Sequence, residues 1–576
     1  MPILPVRDLG SVGVVADVSP YNLPISAFSR GDNVVFKDGK AERAPIFKSV
    51  YAEPTYEALI GAMVSQTETA GVDSFFVCDR GYSVSKWSYP NFIAQYNVVY
   101  QTVTALSTPT VPVTGTTLAD VVYFSKPDNR PIYKLPTEAF FRELYPKAGA
   151  PNSPTSTWGS SSDVWTCQSL RSYGDFLIAL GMNEGGVEKP ARVRWCDPVL
   201  ANEAAVKWDA SDATTLAGFN DLVQLDGGII DGLSLGNQFV IYSRDQVWLM
   251  DFVGGQFVFN FRRLYSDIGI INANCVVEVG SAHYVFGNDD IYAHNGTEKQ
   301  SIASGKVRDF IFNNMNSNSN HVNFVHHSER FNIVMFCYNS GDGNAKFDHA
   351  EHCNKAAVYN YEEGTWSFMD LPNVTASGVG NLSANEITYD EAGAPTYESL
   401  GGNYQDSIAS FSRQSLFINA VQRIESPSST SAYPVASADA YHGFTKTNLL
   451  ALDSLTDPRV VASYQAGQNA GATLERTGID LDETGQNLRA YKSLTNLYPQ
   501  MVSASNSTIS FSVGAADLPN NAPNYSTVTS FSPSTAYQVN TRAAGRYLSY
   551  KVSTTDPESH FEFTGFDADF LMTSKR

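Results

Sequence analysis

The sequence predicts an all-β fold, a β-propeller joined to a β-sandwich. Three observations predict it. Charged residues are 17% of the chain and aromatics 12%, with 30 Tyr and 33 Phe among 576 residues, a balance that favours packed sheets over exposed helices. Short apolar and aromatic runs alternate with Gly, Asn and Asp turns, and no long segment keeps a 3.6-residue period. The runs group into units that recur at roughly 45 to 65 residues, near the spacing of propeller blades. A lone meander cannot bury both its faces, whereas a closed ring of meanders leaves few exposed edges. Six blades are expected, with seven as the alternative. A chain this long exceeds one core. It divides into N-terminal strands at 1–55, a propeller at 56–452 and a C-terminal sandwich at 453–576.

In chain order, Pro2, Pro5, Pro20 and Pro24 exclude a long N-terminal helix. Val34 to Lys37 reads as a strand, Asp38-Gly39 as a tight turn and Lys40 to Arg43 as the partner strand. Ser74 to Cys78 and Tyr82 to Trp87 flank a turn at Asp79-Arg80-Gly81. Val121 to Phe124 and Pro131 to Lys134 flank another, from Lys126 to Arg130. Asp175 to Leu180 and Ala191 to Cys196 flank a loop containing Gly185-Gly186. Phe239 to Tyr242 and Val247 to Met250 are followed by Gly254-Gly255, then by Phe257, Phe259 and Phe261 on one strand face. The clearest meander runs from Ser281 to Ile302, with strands at Ala282 to Phe286, Ile291 to His294 and Thr297 to Ile302, and with Asn295-Gly296 as a two-residue turn at positive φ. Phe331 to Tyr338 pairs with Ala357 to Tyr361, and Thr365 to Phe368 follows. A further unit lies between Ser407 and Leu452. Trp87, Trp195, Trp248 and Trp366 fall late in their units, where a large ring can pack between adjacent sheets. Beyond 453, Leu474 to Ile479, Thr508 to Val513, Arg546 to Val552 and Phe561 to Phe566 read as sandwich strands.

The formal net charge of −20 argues against ordinary nucleic-acid binding, which uses basic patches to displace counterions. It does not argue against a surface that nucleic acid passes without sticking. Cys78, Cys167, Cys196, Cys275, Cys337 and Cys353 form no CxxC pair, and the first residues carry no signal-peptide pattern. Reduced thiols in a protein made in a cytoplasm are expected. No apolar run is long enough to span a bilayer.

Chemistry-bearing clusters each have a plainer reading. Asp348, His349, His352 and Cys353, with Cys337 and with His321, His326 and His327 nearby, could bind zinc, but most of these lie in a polar loop between strands. Asp289-Asp290, Glu362-Glu363 and Asp480/Asp482 could pair as glycosidase carboxylates, but all sit at turns, where such residues serve the backbone or are solvated. Ser304-Gly305-Lys306-Val307 lacks the first Gly and the Ser/Thr of a phosphate loop. Arg30-Gly31-Asp32 matches an adhesion tripeptide but abuts a strand. No Gly-x-Ser-x-Gly elbow occurs. No catalytic, cofactor-binding or metal residue is assigned, no cofactor is implied, and the chain is not expected to be an enzyme.

Three stretches carry a resemblance. Asn33 to Gly39 with Arg43-Ala44-Pro45 resembles the N-terminal segment of tail nozzle (tail tubular B-type) proteins of short-tailed bacteriophages. Asp175 to Leu180, then Arg192-Val193-Arg194-Trp195-Cys196-Asp197-Pro198 and Trp208-Asp209, resembles a blade of that family. Gly545-Arg546-Tyr547-Leu548 with Phe563-Thr564-Gly565-Phe566-Asp567 is similar to its closing strands. The resemblance implies a virion structural protein whose terminal segments join into one platform beside the propeller. It implies a homo-hexameric ring, assembled in the host cytoplasm, that extends the DNA channel below the tail adaptor ring. Such a ring retains packaged DNA and conducts it during ejection without reading its sequence. Tail fibre or spike proteins, and the host cell envelope at the tip, are the further partners implied. Much of the negative charge is expected to face the lumen, and the Asn- and Ser-rich stretch from Asn313 to Asn323 is a candidate gate. The alternative is a carbohydrate-binding or glycan-cleaving β-propeller protein.

Overall fold

The structure, a computed structural model, describes residues 3–50, 59–67, 73–87, 111–138, 140–144, 156–160, 163–255, 257–341, 352–380, 414–422, 445–453, 471–480, 490–503, 509–519, 521–555 and 560–575. Strands dominate these residues, and the only α-helix among them is Arg308–Asn314. No helix among them is long and apolar enough to cross a membrane.

Seven small antiparallel groups of strands follow one another. The first is Ile60–Thr67, Asp73–Asp79 and Val84–Trp87. The second is Thr114–Leu118, Val121–Lys126, Asn129–Lys134 and Arg142–Glu143, and the third is Trp165–Tyr173, Phe176–Glu184, Val187–Trp195 and Gly218–Asp221. The fourth is Ile229–Leu235, Gln238–Ser243, Val247–Phe252 and Phe259–Tyr265. The fifth is Val276–Val279, Ala282–Phe286, Ile291–His294 and Lys299–Ser301. Phe324–Ser328, Ile333–Tyr338 and Cys353–Asn360 make the sixth with the first half of the long strand Thr365–Gly380. The second half of that strand opens the seventh, followed by Gln414–Gln422, Thr445–Asp453 and, from the other end of the chain, Ile46–Ser49.

Each group packs against the next, because each is apolar on both faces. Phe76 and Tyr82 meet Phe124 and Phe141 between the first and second. Tyr123 and Tyr133 meet Trp158 and Leu177 between the second and third, and Trp195 meets Phe259 between the third and fourth. Met335 and Val358 meet Phe417 and Leu450 between the sixth and seventh. Between the seventh and the first, Ala376, Leu416 and Ile418 close on Ile60, Phe75 and Trp87. Glycine permits the close approach at this last seam: a Cβ on Gly380 would lie 2.3 Å from the Phe75 ring, and one on Gly378 would lie 2.6 Å from Met63.

Strands from the two ends of the chain pair with each other. Phe561–Lys575 receives Ile3–Val6 on one stretch, Lys40–Arg43 on another and Ala490–Ser503 along most of its length. Arg30–Asp32 pairs with Ala472–Ile479, which continues through Tyr547–Thr554 to Ile509–Ala516. Phe28, Phe511, Tyr550, Phe563 and Phe566 are buried among the apolar side chains that join these strands. Arg30–Asp32 also touches the sixth group, through Phe368 opposite Asp32.

The structure departs from several expectations. The meander from Ser281 to Ile302 has four strands, not three, because Val276–Val279 precedes it. Its last turn centres on Gly296-Thr297: only Gly296 has positive φ, while Asn295 caps the turn by accepting from the N–H groups of Thr297 and Glu298. Asp38 and Gly39 do both take positive φ and join their strands as a two-residue turn. Gly185-Gly186 does the same, so the expected long loop is a tight hairpin between nine-residue strands. Phe257 precedes its strand and is exposed, leaving Phe259 buried and Phe261 half-buried. Ile46–Ser49 lies with the seventh group, away from the other N-terminal strands.

Candidate functional site

The first strands of successive groups converge, and their polar side chains meet at a buried hub. Asp231, fully buried, accepts from Arg171 Nε (2.8 Å) and Nη2 (2.6 Å), from Ser169 Oγ (2.5 Å) and from the backbone N–H groups of Gly232 and Asn274 (both 2.9 Å). Arg171 also donates to Asn274 Oδ1 (2.8 Å) and to the Gly115 carbonyl (3.2 Å), and Asn274 Nδ2 donates to the Val113 carbonyl (3.1 Å). One carboxylate thereby binds the third and fourth groups together, and through Arg171 and Asn274 the second joins them. Burial pushes the Asp231 carboxyl up, but the Arg171 charge and its hydrogen bonds reverse this and hold it below the usual range.

Beside this pair lies a cavity of about 220 Å³, walled by Arg80, Asn272, His321, Asn323 and Thr375 among others. That is smaller than a typical small-molecule pocket of roughly 300–1,000 Å³. The stretch expected as a gate closes one side of the cavity and is held in place. Asn272 donates to the His321 carbonyl (2.8 Å), Cys353 Sγ to the Val322 carbonyl (3.2 Å) and Cys275 Sγ to the Asn323 carbonyl (3.1 Å).

A second buried polar unit links the fourth and fifth groups. Tyr242 Oη lies 2.7 Å from His283 Nδ1 and 2.6 Å from His294 Nε2, His283 Nε2 lies 2.8 Å from the Ser234 carbonyl, and the Gly296 N–H faces His294 Nδ1 at 3.3 Å. One assignment of protons satisfies every atom. Gly296 donates to His294, His294 to Tyr242, Tyr242 to His283, and His283 to the carbonyl. Both rings must then be neutral, and burial indeed pulls His283 down to about 4 and His294 to about 3.

Several residues of the three resembling stretches serve joints and turns. Asn33, at positive φ, donates to Asp370 Oδ2 (2.9 Å) and to the Gly471 carbonyl (2.7 Å), and its Oδ1 accepts from the Asp370 N–H (2.9 Å). Arg43 Nη1 donates to the Asn33 carbonyl (3.2 Å). The terminal strands are thus clamped onto the sixth group. Arg192 forks onto Asp221 (both 2.7 Å), Arg194 reaches Glu184 (2.9 Å) and the Trp208 carbonyl (3.1 Å), and Asp197 accepts from the Leu216 N–H (2.8 Å). A Cβ on Gly565 would lie 2.2 Å from the Val6 carbonyl, so glycine there admits the N-terminal strand.

Among the described residues the expected clusters do not converge. Asp348 and His349 lie outside the described residues, as does Asp482. His352, Cys353, Cys337 and His326 are buried, and among the described residues no group of three or more His, Cys, Asp or Glu side chains could hold a metal. Asp290 caps its turn by accepting from the Ile291 N–H, Glu362 accepts from Asn332 and Glu363 from the Asp38 N–H. Lys306 donates to the Gly364 carbonyl. Asp32 of the adhesion-like tripeptide is buried. All six cysteines are unpaired and buried. Trp87, Trp195, Trp248 and Trp366 are buried at seams between groups, as are Trp158 and Trp208, which the strand pattern did not single out because they lie outside strands.

No protein-family model matches the chain, and no curated protein matches it. Similar solved structures include the computationally designed Ika8 protein, at 12% identity and a TM-score of 0.33, covering 58% of this chain and 96% of that one. BBS1N in complex with ARL6DN is similar at 11% identity and a TM-score of 0.37, covering 71% and 97%. U3-55K is similar at 8% identity and a TM-score of 0.34, covering 69% and 96%. With seven small antiparallel groups, each packed on the next and the last on the first, the described residues are all-β and propeller-like.

Proposed function

We propose that the chain is a tail nozzle subunit of a short-tailed bacteriophage virion, a structural protein that forms a six-fold ring below the adaptor and conducts DNA through it. The observation that carries this reading is the joint between the two ends of the chain. Ile3–Val6, Val34–Lys37 and Lys40–Arg43 lie in one sheet with Ala490–Ser503 and Phe561–Lys575, and Asn33 clamps this body to the sixth group. A platform built from both termini beside a propeller is what the resemblance implies. The seven described groups favour seven blades over six, with Ile46–Ser49 as the last strand of the seventh.

The size of the hub cavity supports one feature of the mechanism. The passage for DNA is not the propeller's own axis; it is the space enclosed when copies repeat one heterologous contact around an axis. Stiff, closely packed sheets suit a wall that withstands packaged DNA. An acidic lumen would repel phosphate, so transit would not be slowed by contacts that release counterions. Electron microscopy of the purified chain with its adaptor tests the reading. Six-fold rings seated on the adaptor support it; stable monomers that cleave glycans favour the carbohydrate-active alternative.

A further inference from the structure

The aromatic seam between the third and fourth groups does not end at the protein surface. Tyr173, Phe176, Trp195 and Phe259 are buried within it, with Phe176 and Trp195 at 5.0 and 5.1 Å from Phe259. The hairpin that joins Val247–Phe252 to Phe259–Tyr265 then carries three large apolar side chains into solvent: Phe252 is 53% exposed, Val253 55% and Phe257 75%. Gly254 and Gly255 turn there at positive φ. From Phe252 to Phe261 the sequence has no charged residue, and Arg262 and Arg263, both exposed, follow immediately.

We propose that this hairpin end inserts into the interface of a lipid bilayer containing anionic lipid. The order along the strand matches the layers of a membrane: aromatic and aliphatic groups first, then two guanidiniums roughly 17–20 Å behind Phe257 at the rise of a strand. They are placed to meet headgroups while the rings enter the acyl boundary. Asp251 partly neutralises Arg262 at 3.5 Å and is itself held by Gln238, whereas Arg263 projects from the same edge strand. A protein partner is the poorer occupant, because three side chains on a hairpin end fall far short of the roughly 800 Å² that each side of a stable protein interface buries. The buried rings beneath fix the hairpin, so little ordering cost is left for the contact. This inference rests on the hairpin alone and stands whether or not the chain forms a ring.

The test uses the full chain and vesicles of phosphatidylcholine with or without 30% phosphatidylglycerol. All six native thiols are buried, so an environment-sensitive fluorophore on the variant F257C reports this position. A blue-shifted, brightened signal with the anionic vesicles, co-flotation of the wild type, and at least a tenfold loss of binding in V253D/F257D are expected. The variant R262Q/R263Q should lose the preference for anionic lipid and keep its fold by circular dichroism. Absence of wild-type flotation, or flotation that V253D/F257D leaves unchanged, overturns the proposal. So does a V253D/F257D chain that loses self-association while vesicle binding persists, since the hairpin would then seat a second copy.

Discussion

At the scale of single residues, the buried polar units make the sharpest demands. Tyr242 supplies the one hydroxyl that lets two neutral imidazoles share a directed chain of hydrogen bonds. Tyr242→Phe leaves two buried ring nitrogens unpaired and should cost roughly 2–4 kcal/mol, read as a lower denaturant midpoint. The same unit sets a pH dependence. Unfolded, both histidines titrate near 6.5; folded, burial holds them to about 4 and about 3. Between these values the unfolded chain binds protons that the folded chain refuses. The stabilisation is therefore complete above about pH 6.5 and is lost as the pH falls toward 4 for His283 and toward 3 for His294, with roughly 3 kcal/mol from His283 alone. Urea midpoints that are equal at pH 7.5 and pH 5 would contradict the neutral-imidazole assignment. Asp231→Asn, which leaves the Arg171 charge without its carboxylate, should cost about 3–5 kcal/mol. None of these partnerships was legible in the sequence, because Tyr242, His283 and His294 are joined across strands and Arg171 and Asp231 stand 60 residues apart.

At the scale of elements, local chemistry was legible where it is self-sufficient. Asp38-Gly39 forms its turn because its two residues tolerate positive φ and the flanking strands twist to match. Asn295-Gly296 offers the same pair, yet the Asn295 side chain reaches forward to two backbone N–H groups and moves the turn on by one residue. Phe257 follows the period of two, but the loop closes first: the Val253 N–H donates to the Val258 carbonyl, so pairing starts only at Phe259. The closing strand Ile46–Ser49 could not be assigned from pattern alone, since its partner Thr445–Asp453 is about 400 residues away. The seam between the seventh and first groups gives an element-scale prediction. Gly380→Ala should destabilise by about 1–3 kcal/mol, because the Phe75 ring is buried and has nowhere to go. Gly378→Ala should cost less, because it meets the flexible end of Met63. Thermal melts of the two variants in the reverse order would argue against this packing.

At the scale of the whole molecule, the all-β class was legible in composition and turn spacing, while the number of groups was not. The strand Thr365–Gly380 serves two of them, and the last is completed from the far end of the chain. Both ends therefore carry tertiary structure, and Asn33 is one of the pins that hold their shared body to the ring of sheets. Asn33→Ala removes three hydrogen bonds and leaves a half-buried Asp370 short of partners. It should loosen that joint by roughly 2–4 kcal/mol and raise protease cleavage between the two bodies. The measurement that bears most directly on the account is an electron cryo-microscopy map of the chain assembled on its adaptor. Six copies should surround an open passage, each with seven sheets closed on themselves and with its own narrow hub lying off the six-fold axis. A map in which the sheets run as an open row, or in which the assembly axis passes through a single molecule's hub, would contradict it.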